Sequence, residues 1–393
     1  MARQINWRLP DGIDDLLVDR AGHIEKQRRL ILDTFESWGY SLVSPPLVEF
    51  LDSLLHSNAN DLDAETLKFT DHVSGRQLGL RADITPQIVR IYNQQGLSLS
   101  PQRLCYVGSV VQATPKKYSG SRNPLQIGAE LLGIKGTAAD AEIINLLSEV
   151  LEVAHVRDVT LELGHMGLFE KICSRDRLTP EAEEEILEVL SMKDRSGLDT
   201  VCFNREVRTE TKDILVALLD FNGGLEVLDE AGKFFSDVAP NLVQCVEQLA
   251  EVVSLVKVSS TTNRLHIDLA ELRSYRYHTG VIFAAYTQKL GRAVAWGGRY
   301  DNFKNGKSQN ETCTGFSTDL KILASLGDQE VTGKTRVSAP PGIDEELRSA
   351  IKMYRSEGYT VIQRLPGEES RVKEMSCSKV LVKIGGNWEL QDV

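Results

Sequence analysis

The chain has 393 residues, 41% of them hydrophobic and 26% charged, with a formal net charge of −11. That balance belongs to a globular protein with a sizeable core and about two or three domains. It weighs against nucleic acid as a partner, because a phosphate-binding surface leans on Lys and Arg, and no run reaches the roughly 18 apolar residues of a membrane span.

The opening MARQINWRLPDGIDDLL has no apolar signal core, which points to the cytoplasm. Six cysteines (Cys105, Cys173, Cys202, Cys245, Cys313 and Cys377) lack paired spacing, so buried free thiols are expected in place of a metal site or a disulfide framework.

Ile24, Ile31, Phe35 and Trp38 recur at helical spacing, and Gly39 stands where that helix would stop. YSLVSPPLVEF reads as an extended edge segment because Pro45 and Pro46 exclude a central strand. RQLGLRAD is a short strand leading into a helix, with Thr85 as N-cap, Pro86 at the first helical position and Ile84, Ile88, Ile91 and Tyr92 at helical spacing. Residues 101–133 read as a hairpin with a polar loop. ADAEIINLLSEVLEVA is a helix, DVTLELG a strand, and about 178–256 is almost wholly helical, an insertion between parts of a sheet.

Strands return with RLHIDLAEL, VIFAAYTQ and RAVAWGG. GGRYDNF reads as a glycine turn carrying Arg299 and Asp301, and TGFSTDLKILASL as a closing helix with Phe316, Leu320 and Leu323 on one side. DQEVTGKT reads as a linker. The tail from Arg336 reads strand, helix, strand, polar segment, strand, a small α/β unit. The expected architecture is α+β, an antiparallel sheet flanked by helices, with one domain over 1–328 and a small C-terminal domain over 329–393.

Side chains alternate across a strand, so Gln126, Gly128 and Glu130 share one face of LQIGAELL while Ile127, Ala129 and Leu131 share the other. Gln126 and Glu130 lie roughly 13 Å apart along that strand, and Gly128 leaves space between them for a small molecule. A solvent-facing strand would give the same pattern. Asp83 and Thr85 either face a ligand or cap the helix that follows LRAD, and Arg273 in LRSYRYHTG reads alone as a surface charge.

The order of these pieces is more specific than any one of them. LRADIT, YVG with its hairpin, LQIGAELLG, LRSYRYHTG, GGRYD and TGF with its helix together resemble a histidyl-tRNA synthetase catalytic core, a class II synthetase fold, over about residues 7–326. The resemblance implies that Asp83, where the family has a glutamate, holds a histidine ammonium group with Thr85 and Gln126. By the same resemblance Glu130 accepts the imidazole N–H, Arg273 holds the carboxylate, and Tyr277, beside His278, packs on the ring. Amino-acid activation also needs cations for a triphosphate. At the family's arginine and glutamate of the hairpin stand Gln112 and Thr114, and at the glycine and arginine of the closing helix stand Asp319 and Ile322.

WRLPDGIDDLL, LDSLL, LRADITPQIVRI, LGHMGLF, ELRSYRYHTGVIFAAY and TGFSTDL further resemble the regulatory subunit of the two-chain ATP phosphoribosyltransferase, a synthetase paralogue of histidine biosynthesis. That resemblance implies no catalysis, no cofactor, a short catalytic chain as partner, L-histidine as effector, and a self-dimer within a hetero-octamer. A histidyl-tRNA synthetase, or another adenylating paralogue, is the alternative.

Overall fold

A computed structural model describes residues 8–55, 60–94, 101–114, 121–257, 262–272, 277–302, 311–327, 335–368 and 375–393. Arg273 and the DQEVTGKT linker up to Lys334 lie outside them. The chain divides into two units, Met1–Asp328 and Gln329–Val393.

The first unit opens with α1 (Val18–Ser37), β1 (Ser41–Val43) and β2 (Val48–Phe50), then α2 (Leu51–Leu54), α3 (Asn60–Glu65), β3 (Leu67–Thr70), β4 (Gln77–Leu80) and α4 (Thr85–Gln94). The hairpin strands β5 (Gln102–Ser109) and β6 (Leu125–Leu132) precede α5 (Thr137–Val153), β7 (Val159–His165) and α6 (Met166–Asp176). Next come α7 (Pro180–Ser191), α8 (Arg195–Asn204), α9 (Thr209–Asp220), β8 (Asn222–Gly223), α10 (Glu226–Val238) and α11 (Pro240–Leu255). The unit ends with β9 (Thr262–Asp268), β10 (Val281–Thr287), β11 (Leu290–Asn302), β12 (Glu311–Asp319) and α12 (Leu320–Leu326).

The main sheet runs β1-β5-β6-β12-β11-β10-β7-β9-β8. It is antiparallel except for β1 with β5 and β7 with β9, the mostly antiparallel sheet that the sequence leads one to expect. The two prolines part β1, at the edge of this sheet, from β2, at the edge of the small sheet β2-β4-β3. Apolar alternation buries Ile127, Ala129 and Leu131 in the main core with Ile31 and Phe35 of α1 and Ile143, Leu147 and Val150 of α5. The opposite face carries α4, with Ile84, Ile88 and Tyr92 against Tyr106 and Tyr300.

Three local expectations are corrected. GGRYD is no turn but part of β11, where pairing with β12 keeps the chain extended through both glycines. TGFSTD is strand β12 and not helix, so Phe316 is a core residue of the sheet and α12 starts only at Leu320, capped by Asp319. Thr85 does not cap α4 through its side chain, because Asp83 Oδ1 accepts the Thr85 N–H at 2.9 Å and the Thr85 hydroxyl turns inward.

The tail holds β13 (Arg336–Ala339), α13 (Glu345–Ser356), β14 (Thr360–Gln363), β15 (Lys379–Ile384) and β16 (Asn387–Asp392), in the sheet order β14-β13-β15-β16. The last strand goes beyond the expected three. Gly385 and Gly386, at φ 58° and 95°, supply the two left-handed residues of a tight hairpin turn that pairs Ile384 with Asn387. No helix among the described residues is long and apolar enough to cross a membrane. All six cysteines are buried and free.

Arg299 pins the layers of the first unit. Its guanidinium meets Asp140 of α5 at 2.8 Å, and Thr314 of β12 donates to the same carboxylate at 2.8 Å. Asp140 is 2% exposed, and burial raises its pKa against the pull of Arg299. Arg299→Met strands that carboxylate, and a loss of roughly 3–5 kcal/mol is expected in chemical denaturation at pH 7. The deficit shrinks as pH falls, since a protonated Asp140 needs no cation. A variant as stable as the parent contradicts this role.

Candidate functional site

β6 lies between β5 and β12, with Tyr106 opposite Gly128, Gly315 opposite Glu130 and Asp319 opposite Gln126. The polar face of β6 does not meet solvent: Gln126 is 8% and Glu130 1% exposed. The space over Gly128 is also taken. A Cβ there would stand 2.6 Å from the Tyr106 hydroxyl, so the glycine makes room for a tyrosine and not for a ligand. At Gly315 a Cβ would run into Glu130 Oε2. The bare backbone at that position lets the carboxylate lie flat on the sheet.

Among the described residues, Glu130 is held by hydroxyls alone. Thr85 Oγ1 donates to Oε1 at 3.0 Å, the Tyr106 hydroxyl reaches the same oxygen at 3.4 Å, and the Tyr300 hydroxyl donates to Oε2 at 2.9 Å. Burial pushes the carboxyl up to about 8, although the bonds from Tyr300 and Thr85 favour the ionised form. Tyr277 stacks on Tyr300 with ring centroids 4.9 Å apart and meets His278 edge-on. Burial also raises the phenol pKa of Tyr106, Tyr277 and Tyr300 far above the usual value.

Gln126, at the other end of β6, ties down the loop before α4. Its Nε2 donates to Asp83 Oδ1 at 2.9 Å, and its Oε1 accepts the Ile84 N–H at 2.9 Å. Arg81, 6% exposed, anchors the same loop by donating to Ser109 O at 2.9 Å and Pro45 O at 2.8 Å. Asp83 and Gln126 line a cavity of about 80 Å³ together with Gln112, Arg292, Asp319 and Ile322. Asp319 Oδ1 accepts the Leu125 N–H at 3.1 Å and the Lys321 N–H at 3.0 Å, and burial raises its pKa against those bonds.

The sequence-derived residues thus fall into two neighbouring groups joined by β6. Thr85, Glu130 and Tyr277 belong to the hydroxyl cluster, while Asp83, Gln112, Gln126, Asp319 and Ile322 surround the cavity. Thr114 is exposed and does not line the cavity. Sequence reasoning missed Tyr106, Tyr300, Arg81, Arg292 and Trp296. Alternation along β5 and β11 is the signal that would have placed the two tyrosines on the Glu130 face. Elsewhere, Glu162, Asp268 and Glu271 bring carboxylates within 4.8 Å of one another, but Lys193 Nζ sits 2.6 Å from Asp268 and neutralises it.

This arrangement offers an anion beside a small cavity, a buried acceptor among aromatic rings, and little positive charge. Residues 12–323 match a family model described as histidyl-tRNA synthetase, and residues 334–391 one described as ATP phosphoribosyltransferase subunit HisZ C-terminal domain. The ATP phosphoribosyltransferase regulatory subunit of Nitrosococcus oceani is 40% identical over 391 residues, covering 98% of this chain and 97% of that protein. That of Alkalilimnicola ehrlichii is 41% identical over 385 residues, covering 97% and 96%. A solved ATP phosphoribosyltransferase regulatory subunit/histidyl-tRNA synthetase from Bacillus halodurans superposes with a TM-score of 0.79 at 22% identity, over 96% of this chain and 97% of that one. Histidyl-tRNA synthetase from Nostoc sp. PCC 7120 gives 0.78 at 17%, over 99% and 95%. The two structures establish the class II synthetase-like fold. With relatives this similar along nearly its whole length, the chain belongs to the family of ATP phosphoribosyltransferase regulatory subunits.

Proposed function

We propose that this chain is a non-catalytic subunit that binds a short ATP phosphoribosyltransferase chain, activates it for the first step of histidine biosynthesis, and makes it responsive to L-histidine. The observation that carries the reading is the unequal furnishing of the pocket. Glu130 is a buried acceptor with no cation against it among the described residues, and Asp83 lines a small cavity next to it. Histidine offers each a further partner: an imidazole N–H for Glu130 beside its hydroxyls and an ammonium for Asp83, the latter held in place by Gln126 and the Thr85 N–H. Tyr277 would stack near the ring, and Arg273, on the strength of the resemblance, would hold the carboxylate. Charge-assisted hydrogen bonds of this kind discriminate between amino acids better than apolar contact does.

The nucleotide side is poor by comparison. Gln112 and Ile322 carry no charge and Asp319 is an acid, so one described cation, Arg292, lines the cavity. A triphosphate spreads its charge over many oxygens and needs several cations. A site that binds histidine without consuming it serves as a sensor. Feedback then requires only that histidine favour one state of the assembly, with a coupling of about 1–3 kcal/mol to the partner's active site. In this reading the chain works in the cytoplasm, as a self-dimer within a hetero-octamer, without cofactor or nucleic acid.

Histidine-dependent ATP–pyrophosphate exchange by the purified chain is expected to be absent, and Gln112→Arg alone should not restore it, since Ile322 remains. Measurable exchange in the parent chain would instead make it an adenylating paralogue. Glu130→Gln keeps the shape of the knot but puts an amide in place of a carboxyl that can ionise against a cationic ligand. It should raise the histidine concentration needed to inhibit the mixed enzyme by roughly 10- to 100-fold without disturbing assembly; unchanged inhibition excludes Glu130 as the ring acceptor.

The buried Glu130 carboxyl also predicts a pH dependence. The folded carboxyl titrates near 8 and the ordinary one near 4.5, so between these values the unfolded chain has released a proton that the folded chain keeps. Stability of the ligand-free protein therefore falls as pH rises from about 5 to about 8. In melting curves taken across that range, Glu130→Gln should flatten the decline, and parallel profiles for parent and variant would rule out this origin.

A further inference from the structure

We propose that Arg292 is a ligand-binding residue that faces the α-carboxylate of the amino acid whose ammonium Asp83 receives, so that the small cavity is a receptor for a zwitterion. The inference rests on the sensor reading above and adds the group that tells a free amino acid from an amine. At about 80 Å³ the cavity has room for the charged end of an amino acid, while the ring is left to the Glu130 cluster outside it. The described charged residues that line it are Glu65, Asp83, Asp319 and Arg292, three acids and one base.

The acids are not equally available. Asp319 is engaged by two backbone N–H groups, whereas Asp83 lies at the cavity wall with its Oδ1 shared between Gln126 and Thr85. Arg292 is the converse case. Its side chain is half-buried and its charge is felt by Asp319, while its Nε is enclosed with no hydrogen-bond partner among the described residues. A buried donor left without an acceptor is costly, and a charged one more so. The ammonium and carboxylate of an amino acid are separated by a single carbon, so a ligand that offers the first to Asp83 presents the second within the same small space. The planar guanidinium suits a carboxylate by geometry as well as charge.

Calorimetric titration of the full chain with L-histidine and with histamine, which keeps the imidazole and ammonium but has no carboxylate, separates this role from the rest of the site. Arg292→Met should weaken L-histidine roughly 10- to 100-fold and leave histamine within about twofold of the parent. Arg292→Lys, which restores a cation, should regain part of the loss. Unchanged L-histidine affinity in Arg292→Met, or equal losses for both ligands, overturns the assignment and leaves the sensor reading intact. A parent chain that binds neither ligand overturns both.

Discussion

A carboxylic acid buried among hydroxyls, with no positive charge touching it among the described residues, is the constraint around which this sheet face is organised. Glu130 needs Thr85, Tyr106 and Tyr300 to remain folded inside, and each of those comes from a different element. Gly315 must lack a side chain for the carboxylate to lie where it does. Even so, burial keeps its affinity for a proton far above that of a free glutamic acid. An apolar residue of similar volume in its place would strand three buried hydroxyls, so the cluster is kept as a unit.

On the same face, residues around the cavity also serve the fold. Asp319 is not simply a charge set against phosphate. Its carboxylate caps α12 and satisfies the first N–H of β6, so the acid has become part of the fold that shapes the cavity. Ile322 presents an apolar side chain to the cavity, and Gln112 is drawn into an isolated bridge with Thr66. What remains is a small cavity with one described cation at its wall.

Much of this was legible in the sequence. Alternation on β6 correctly separated Gln126 and Glu130 from Ile127, Ala129 and Leu131, because strand periodicity is fixed by backbone geometry. Alternation could not say that the polar face was buried, since covering it takes Tyr106, Tyr300 and the start of α4, which come from distant parts of the chain. GGRYD and TGFSTD were misread for a related reason. Glycines suggest a turn and a nearby apolar run suggests a helix, but ladder pairing between β11 and β12 overrides both local preferences. Thr85 had the right composition for a cap, yet Asp83 takes that role and frees the hydroxyl for Glu130. The final strand β16 was overlooked although Gly385-Gly386 is a strong hairpin signal. Arg292 gave no signal at all, because only the folded cavity shows that its Nε has no hydrogen-bond partner among the described residues.

Equilibrium dialysis of the full chain against L-histidine and magnesium–ATP together tests most directly whether this pocket recognises an amino acid it can no longer activate. The account predicts that the chain retains histidine in a saturable manner, approaching one molecule per site, and that it retains no nucleotide whether or not histidine is present. Retention of ATP together with histidine, or failure to retain histidine at all, would contradict it.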